Sequence, residues 1–312
     1  MRLKAWGCRG SISVSDKKKT RYGGNTTCYE VESKCLPDGT WLLFDGGTGM
    51  VPASAAFMAA RAQALYVFYT HWHHDHTGGF PLSIFPYVDH IPVSLYGPVE
   101  HGYGPQKVYQ ALMRSPFFPK DLREVKHHIT FHNIASPSTT VFVIHPKGGI
   151  KELTYSKFEG LCKAGQQIPF DGGKKYSTNE CLVIKLHRTH HPEQTISYRL
   201  EEGPTGRVLV LLTDHENQAA IPASLRNHIG GAHKLLLDTQ YDDAKYLSQT
   251  AGWGHGSAKY AAFIAQTGKV ETLVTIHHDP WSTDEHIDEI VEAVRTHLAN
   301  AECDVKVVGC HD

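Results

Sequence analysis

The sequence predicts a layered α/β protein. Short apolar or β-branched runs recur along the chain, each breaking sharply into glycine, histidine or aspartate, and amphipathic helical stretches lie between them. Its 312 residues with 41% hydrophobic content are also enough to bury a full core. That length permits one large domain or two smaller ones. The strand-like runs cover residues 41–44, 64–69, 181–186, 208–212, 234–237 and 273–276. Buried strands of this kind deliver polar side chains at one edge of a sheet. Among the helices, residues 284–298 place Ile287, Ile290, Val291, Val294 and Leu298 on one stripe, with Ser282 and Glu285 at capping-box spacing. A second helix is expected from Ser257 to Gln266, ending at Gly268, a residue suited to a helix C-terminus. Residues 131–180 contain a strand-like run at 141–144, a mixed stretch at 151–164 and Gly-Gly breaks, and are expected to form an insertion within a single domain spanning 1–312.

Composition narrows the partners. The formal net charge is −1, and the densest basic run is Lys17 to Lys19. A protein that grips a long polyanion needs a basic stripe, because phosphate neutralisation supplies most non-specific nucleic-acid affinity. A small-molecule substrate is expected rather than a nucleic acid. No apolar run is long enough to span a bilayer, and the N-terminal residues carry no signal-peptide pattern. The seven cysteines are scattered without a C-x-x-C pair, which suits a reduced, cytoplasmic protein. A homodimer is compatible with the sequence.

The strongest signal follows the 64–69 run: Thr70-His71-Trp72-His73-His74-Asp75-His76-Thr77-Gly78-Gly79. A tight turn after a strand splays such side chains, so that alternating histidines face one metal ion and the Asp-His pair faces a second. Imidazole and carboxylate suit zinc, and the lack of cysteine argues against a closed structural site. This T-H-x-H-x-D-H-x-G-G stretch resembles the signature of the metallo-β-lactamase superfamily. The resemblance implies a four-layer αββα sandwich with metals at one edge.

The resemblance extends over nearly the whole chain. Asp45, in Leu43-Phe44-Asp45-Gly46-Gly47, resembles the early aspartate that orients the metal site from behind a ligand. His191, ahead of Ile196-Ser197-Tyr198-Arg199, resembles the histidine preceding a similar strand in ribonuclease Z. Asp214 resembles the aspartate shared by both metals, and His277 the final histidine. Carried over, the ligand set is His71, His73 and His191 for one ion and Asp75, His76 and His277 for the other, with Asp214 bridging. The implied cofactor is two Zn²⁺, with Mn²⁺ or Fe²⁺ as alternatives, roughly 3.5 to 4 Å apart. His190 and His278 adjoin proposed ligands and compete with them; His278 is the closer competitor. His74, His127, His128, His132 and His145 have no motif around them.

Peripheral motifs narrow the chemistry. Trp6-Gly7-Cys8-Arg9-Gly10-Ser11, Ser115-Pro116-Phe117-Phe118-Pro119, Gly252-Trp253-Gly254-His255-Gly256-Ser257 and His277-His278-Asp279-Pro280 together resemble a subgroup near ribonuclease Z, cyclic-nucleotide phosphodiesterases and phosphonate-pathway cyclic phosphodiesterases. Around His255, two glycines let backbone approach a ligand, and Ser257 opens a helix whose N-terminus favours an anion, so a phosphate is expected there. Asp75, His255 and Asp45 are the residues expected to act in catalysis, with Asp75 at the second metal, His255 stabilising the phosphate or protonating the leaving oxygen, and Asp45 orienting a ligand histidine. The implied activity is metal-dependent hydrolysis of a small phosphodiester such as a cyclic nucleotide. The alternatives are an RNA 3′-end endonuclease, a lactam or thioester hydrolase, and a ligand-binding protein without turnover. The short turn between Tyr198 and Asp214 leaves no room for the long tRNA-gripping arm of bacterial ribonuclease Z.

Overall fold

The computed structural model describes residues 1–312. Six strands form the first sheet in sequence order: β1 (Arg2–Gly7), β2 (Cys28–Glu32), β3 (Thr40–Phe44), β4 (Ala64–Phe68), β5 (Val93–Pro98) and β6 (Ile129–Ile134). Then follow β7 (Thr140–His145), β8 (Gly149–Thr154), a small hairpin of β9 (Ile168–Pro169) and β10 (Lys175–Tyr176), β11 (Leu182–Arg188), β12 (Ile196–Glu202), β13 (Arg207–Leu212), β14 (Lys234–Asp238), β15 (Thr272–Ile276) and β16 (Lys306–Gly309). The second sheet runs β16-β15-β14-β13-β12-β11-β7-β8. All six strand runs expected from the sequence are present, with ends shifted by one or two residues.

Side-chain alternation sorts the core into layers. Phe44, Phe68 and Tyr96 of the first sheet meet Phe142, Tyr198 and Leu211 of the second between the sheets. The opposite face of the first sheet, with Leu43, Val67 and Leu95, packs on Met50 and Phe57 of the Met50–Ala59 helix and on Tyr109. Val210, Leu212 and Leu235 of the second sheet pack outward on Ile264, Ile287 and Val291. The result is the expected αββα sandwich.

Two helix ends differ from expectation. The C-terminal helix spans Asp284–Asn300 and buries the predicted stripe, but its cap is Thr283, which accepts from His286 N. Ser282 instead points its hydroxyl at Asp279. The preceding helix, Ala258–Gly268, ends with Lys269 in the left-handed region (φ 50), so Gly268 is its last helical residue and not its stop. Residues 131–180, expected as an insertion, supply the end of β6, the β7–β8 edge hairpin, the Tyr155–Lys163 helix and the β9–β10 hairpin.

Polar residues gather at one edge for a topological reason. Strands β3 to β6 are parallel, as are β13 to β16. Neighbouring parallel strands present their carboxyl ends on the same side, where open α/β sheets bind ligands. Asp45 follows β3, Thr70 and His71 follow β4, Asp214 follows β13, Asp238 closes β14, and His277 follows β15. Asp45 (φ 60), Asp214 (φ 51) and His277 (φ 62) all occupy the left-handed region. Non-glycine residues there are uncommon and concentrate at functional sites, so these three turns are held by their surroundings.

Candidate metal centre

The turn after β4 becomes a single helical turn, His74–Thr77, which projects Asp75 and His76 while His71 and His73 precede it. His71, His73, His191 and Asp214 bring their ligand atoms within 4.8 Å of one another, as do Asp75, His76 and His277. Asp214 joins the two groups. Its Oδ2 lies 3.4 Å from His71 Nε2 and 3.8 Å from His191 Nε2, while its Oδ1 lies 3.3 Å from His76 Nε2 and 3.4 Å from His277 Nε2.

These residues fit a pair of metal ions. His71 Nε2, His191 Nε2 and Asp214 Oδ2 are buried and have no hydrogen-bond partner, and leaving such atoms unpaired costs about 1–3 kcal/mol each. In the other group, His76 Nε2 and His277 Nε2 face each other at 3.3 Å, and Asp75 Oδ2 stands 3.4 and 3.1 Å from them. An ion holding four ligands tetrahedrally at about 2.0–2.1 Å needs ligand separations of about 3.3–3.4 Å. The observed spacings match that edge length. Three carboxylates converge on His76: burial alone would lower its pKa, yet Asp214, Asp75 and Asp45 hold it well above the usual histidine range. The site thus demands positive charge. Burial, reinforced by His76, drives His71 well below the usual range, into the neutral form that ligates metal.

Behind the ligands stands a supporting layer. Asp45, fully buried, places Oδ2 2.9 Å from His76 Nδ1 and accepts from Thr70 N and Oγ1. His277 Nδ1 meets Gln240 Oε1 at 2.9 Å, and His191 Nδ1 meets Thr195 Oγ1 at 3.2 Å. Such partners fix ring orientation and tautomer, and their loss typically weakens metal affinity about 10- to 100-fold. Asp45→Asn is therefore expected to raise the dissociation constant for Zn²⁺ by about 10- to 100-fold in a competition titration against a chelator. Wild-type affinity in that variant would reduce Asp45 to a residue of the core.

The neighbouring histidines are resolved by their partners. His278 is buried with Nε2 2.9 Å from the Cys310 carbonyl, turned away from both groups. His190 and His74 are exposed. His73 is 43% exposed at its side chain and sits 3.3 Å from Glu193, which also pairs with His191 Nδ1.

His255 adjoins the groups: its ligand atom lies within 4.8 Å of those of Asp214, Asp238 and His277, a third cluster that could hold a metal ion. Its ring stacks on His277 with centroids 4.8 Å apart, and its Nδ1 lies 2.9 Å from Asp238 Oδ2. Burial opposes its charge, but Asp238, helped by Asp214 and Asp75, raises its pKa to about 9. Gly254 is required here: it takes φ 97, and a Cβ would come 2.5 Å from the His191 ring. The expectation that the following helix receives an anion at its N-terminus is overturned. Ser257 N donates to Asn217 Oδ1, Ala258 N to the Tyr241 carbonyl and Lys259 N to Asp243 Oδ1, so protein acceptors already take those groups.

Asp238, Gln240, Thr70 and Glu216 were not singled out by the sequence. Asp238 ends an apolar run just as Asp45 follows one, so the same rule finds it. Glu216 accepts from Gly254 N and from the Tyr246 hydroxyl, holding the His255 loop.

A four-layer sandwich carrying paired histidine and aspartate groups at the carboxyl ends of its strands defines a metal-dependent hydrolase fold. The chain belongs to the beta-lactamase superfamily domain family, which it matches over residues 40–278. No curated protein sequence matches it. Among solved structures it is similar to the metallo-beta-lactamase fold protein YhfI from Bacillus subtilis (16% identity, TM-score 0.63, covering 99% of this chain and 96% of that one). It is also similar to human tRNase Z, short form (18%, 0.57, 100% and 97%), and to unliganded yeast PDE1 (11%, 0.58, 98% and 96%). At these identities the likeness is one of fold.

Proposed function

We propose that the protein is a dinuclear metal-dependent phosphodiesterase acting on a small phosphodiester, a cyclic nucleotide or related cyclic phosphate. One observation carries this reading: His255, which clusters with Asp214, Asp238 and His277 but lies outside the seven-ligand set, has one ring nitrogen fixed by Asp238 and lines a cavity of about 410 Å³ together with Ser11 and Gln240, the partners of Asp75 and His277. A thiolate leaving a thioester does not call for such a residue, whereas an alkoxide leaving a phosphodiester needs a proton, as the nitrogen leaving a lactam also does, so nitrocefin is the substrate that separates those two. His71, His73, His191 and Asp214 would hold one ion, and Asp75, His76, His277 and Asp214 the other. Bound there, Zn²⁺, Mn²⁺ or Fe²⁺ polarises phosphoryl oxygens and supplies a nucleophile at neutral pH. The chain's own part is to orient those ligands through Asp45, Gln240 and Thr195, and to present the His255 proton where the leaving oxygen emerges.

Two features weigh against a tRNA substrate. Strands β12 and β13 are joined by a turn over residues 203–206, without a projecting arm, and the net charge is −1. No helix is long and apolar enough to cross a membrane. The test is a substrate panel with Zn²⁺, Mn²⁺ and Fe²⁺ supplied in turn. Bis(p-nitrophenyl) phosphate and at least one 2′,3′- or 3′,5′-cyclic nucleotide are expected to turn over, while a tRNA precursor and nitrocefin stay intact. No phosphodiester turnover with any of the three metals would reject the assignment.

A further inference from the structure

The cavity that His255 lines has walls the phosphodiester chemistry does not use. Trp253 and Trp281 both border it, and their side chains are among the most exposed large apolar groups of the molecule, at 63% and 83%. Isolated exposed apolar residues need no explanation, but two tryptophans facing one cavity beside a reactive centre do. Their rings are wet while their backbones are anchored. Trp253 N donates to the Thr250 carbonyl, and the next residue, Gly254, donates to buried Glu216. Trp281 N donates to Asp279 Oδ1 at 3.1 Å, and Asp279 Oδ2 is paired with Lys245. Rigid backbone under an exposed aromatic ring is the arrangement that gains contact area with little loss of freedom.

The floor between them is polar and pre-organised. Ser11 donates its backbone N–H to Asp75 Oδ2 at 2.7 Å, and Gln240 links Ser11 to His277. A π-helical turn, Tyr246–Thr250, forms one wall, bringing exposed Gln249 beside Thr250, whose buried hydroxyl has no partner. Single π turns cluster at functional sites. The cavity is therefore lined by two indole rings, by the amides of Gln240 and Gln249, and by Ser11, Gln240 and His255, which contact the ligands Asp75 and His277.

We propose that Trp253 and Trp281 form a stacking site for the nucleobase of the substrate, holding a planar heteroaromatic ring at the outer end of the cavity while the phosphodiester lies at the inner end. The inference rests on the phosphodiesterase reading and sharpens its substrate class from any small phosphodiester to a nucleotide. Stacking on an aromatic side chain tolerates every base, so the site selects nucleotides over base-free phosphodiesters, with the choice among bases left to groups such as Gln249.

The test compares wild type with Trp253→Ala, Trp281→Ala and the double variant, and with Phe at each position as the conservative control. Activity is measured on 2′,3′-cyclic AMP and on glycerol 1,2-cyclic phosphate, which has no base. The ratio of the two kcat/KM values is expected to fall about 5- to 150-fold in the double variant, mostly through KM for cyclic AMP, and to be largely restored by Phe. An unchanged ratio overturns the stacking site and leaves the phosphodiesterase reading standing. Binding is read separately, by calorimetric titration of AMP into chelator-treated and untreated protein. If wild type hydrolyses no phosphodiester, the function above fails and this second measurement decides: AMP binding lost in the double variant and restored by Phe supports a nucleobase site, and AMP binding retained in the double variant overturns it. A shift from dimer to monomer in sedimentation of the double variant, with AMP binding unaltered, also overturns it, because the tryptophans would then be an interface between copies of the chain.

Discussion

Asp214→Ala is expected to remove bound metal and to lower phosphodiester turnover by about 10³-fold or more, with wild-type protein carrying about two transition-metal ions per chain. The expectation follows from the split use of its carboxylate. Oδ2 serves His71 and His191, and Oδ1 serves His76 and His277. One substitution thus takes a ligand from both groups. Burial works against its charge, but His277, His76 and His71 hold the carboxyl well below the usual range, so it is ionised wherever a metal would bind. Folding must be separated from ligation, because the residue sits at φ 51 and alanine there costs roughly 1–2 kcal/mol. Asp214→Asn removes that objection, since asparagine tolerates the left-handed region and keeps the side-chain shape. Elemental analysis and circular dichroism of both variants give the answer. Unchanged metal content in a folded variant would move the bridge to another residue.

How much of this was legible in the sequence depended on how local each interaction is. The turn from His71 to His76 announces itself because four polar ligands within six residues leave little else for a strand end to do. Asp45, Asp214 and His277 were readable as strand terminators, each following an apolar run, but their meeting depends on parallel pairing. The pairing of Leu212 with Leu237 and of Asp238 with Ile276 brings three strand ends to one edge. Sequence spacing contains no trace of that register. Asp238 closes an apolar run as plainly as Asp45 follows one, but only this register brings it to His255. The anion site at the Ser257 helix shows the reverse error. The local pattern marks a helix start, yet Asn217, Tyr241 and Asp243 arrive from elsewhere and take the free N–H groups. Helix caps behaved alike: Ser282 has the right spacing, but Asp279 draws its hydroxyl away and Thr283 caps instead.

His255→Ala is expected to leave both metals in place and to lower kcat on a cyclic nucleotide by about 10²- to 10⁴-fold, the usual contribution of a positioned general acid. His255 lies outside the seven ligands assigned to the two ions, although it clusters with Asp214, Asp238 and His277, and its Nδ1 is committed to Asp238, which leaves Nε2 for the substrate. Asp238 is fully buried, and its carboxylate also accepts from His215 N and Gln240 N, so the ring is aimed by a partner that cannot itself move. Asp238→Asn should accordingly reproduce part of the loss, by weakening the charge that keeps the imidazole protonated. The leaving group separates proton transfer from mere phosphate positioning. A p-nitrophenolate departs with little need of a proton, whereas a ribose hydroxyl requires one. The alanine variant should therefore lose far more activity on the cyclic nucleotide than on bis(p-nitrophenyl) phosphate, measured as kcat on both with the metal content of the same sample. Equal losses would assign His255 to holding the phosphate, which acts whatever the leaving group. Wild-type rates on both, with metals retained, would make the Gly254-His255-Gly256 turn a structural loop and remove the observation on which the phosphodiesterase reading rests.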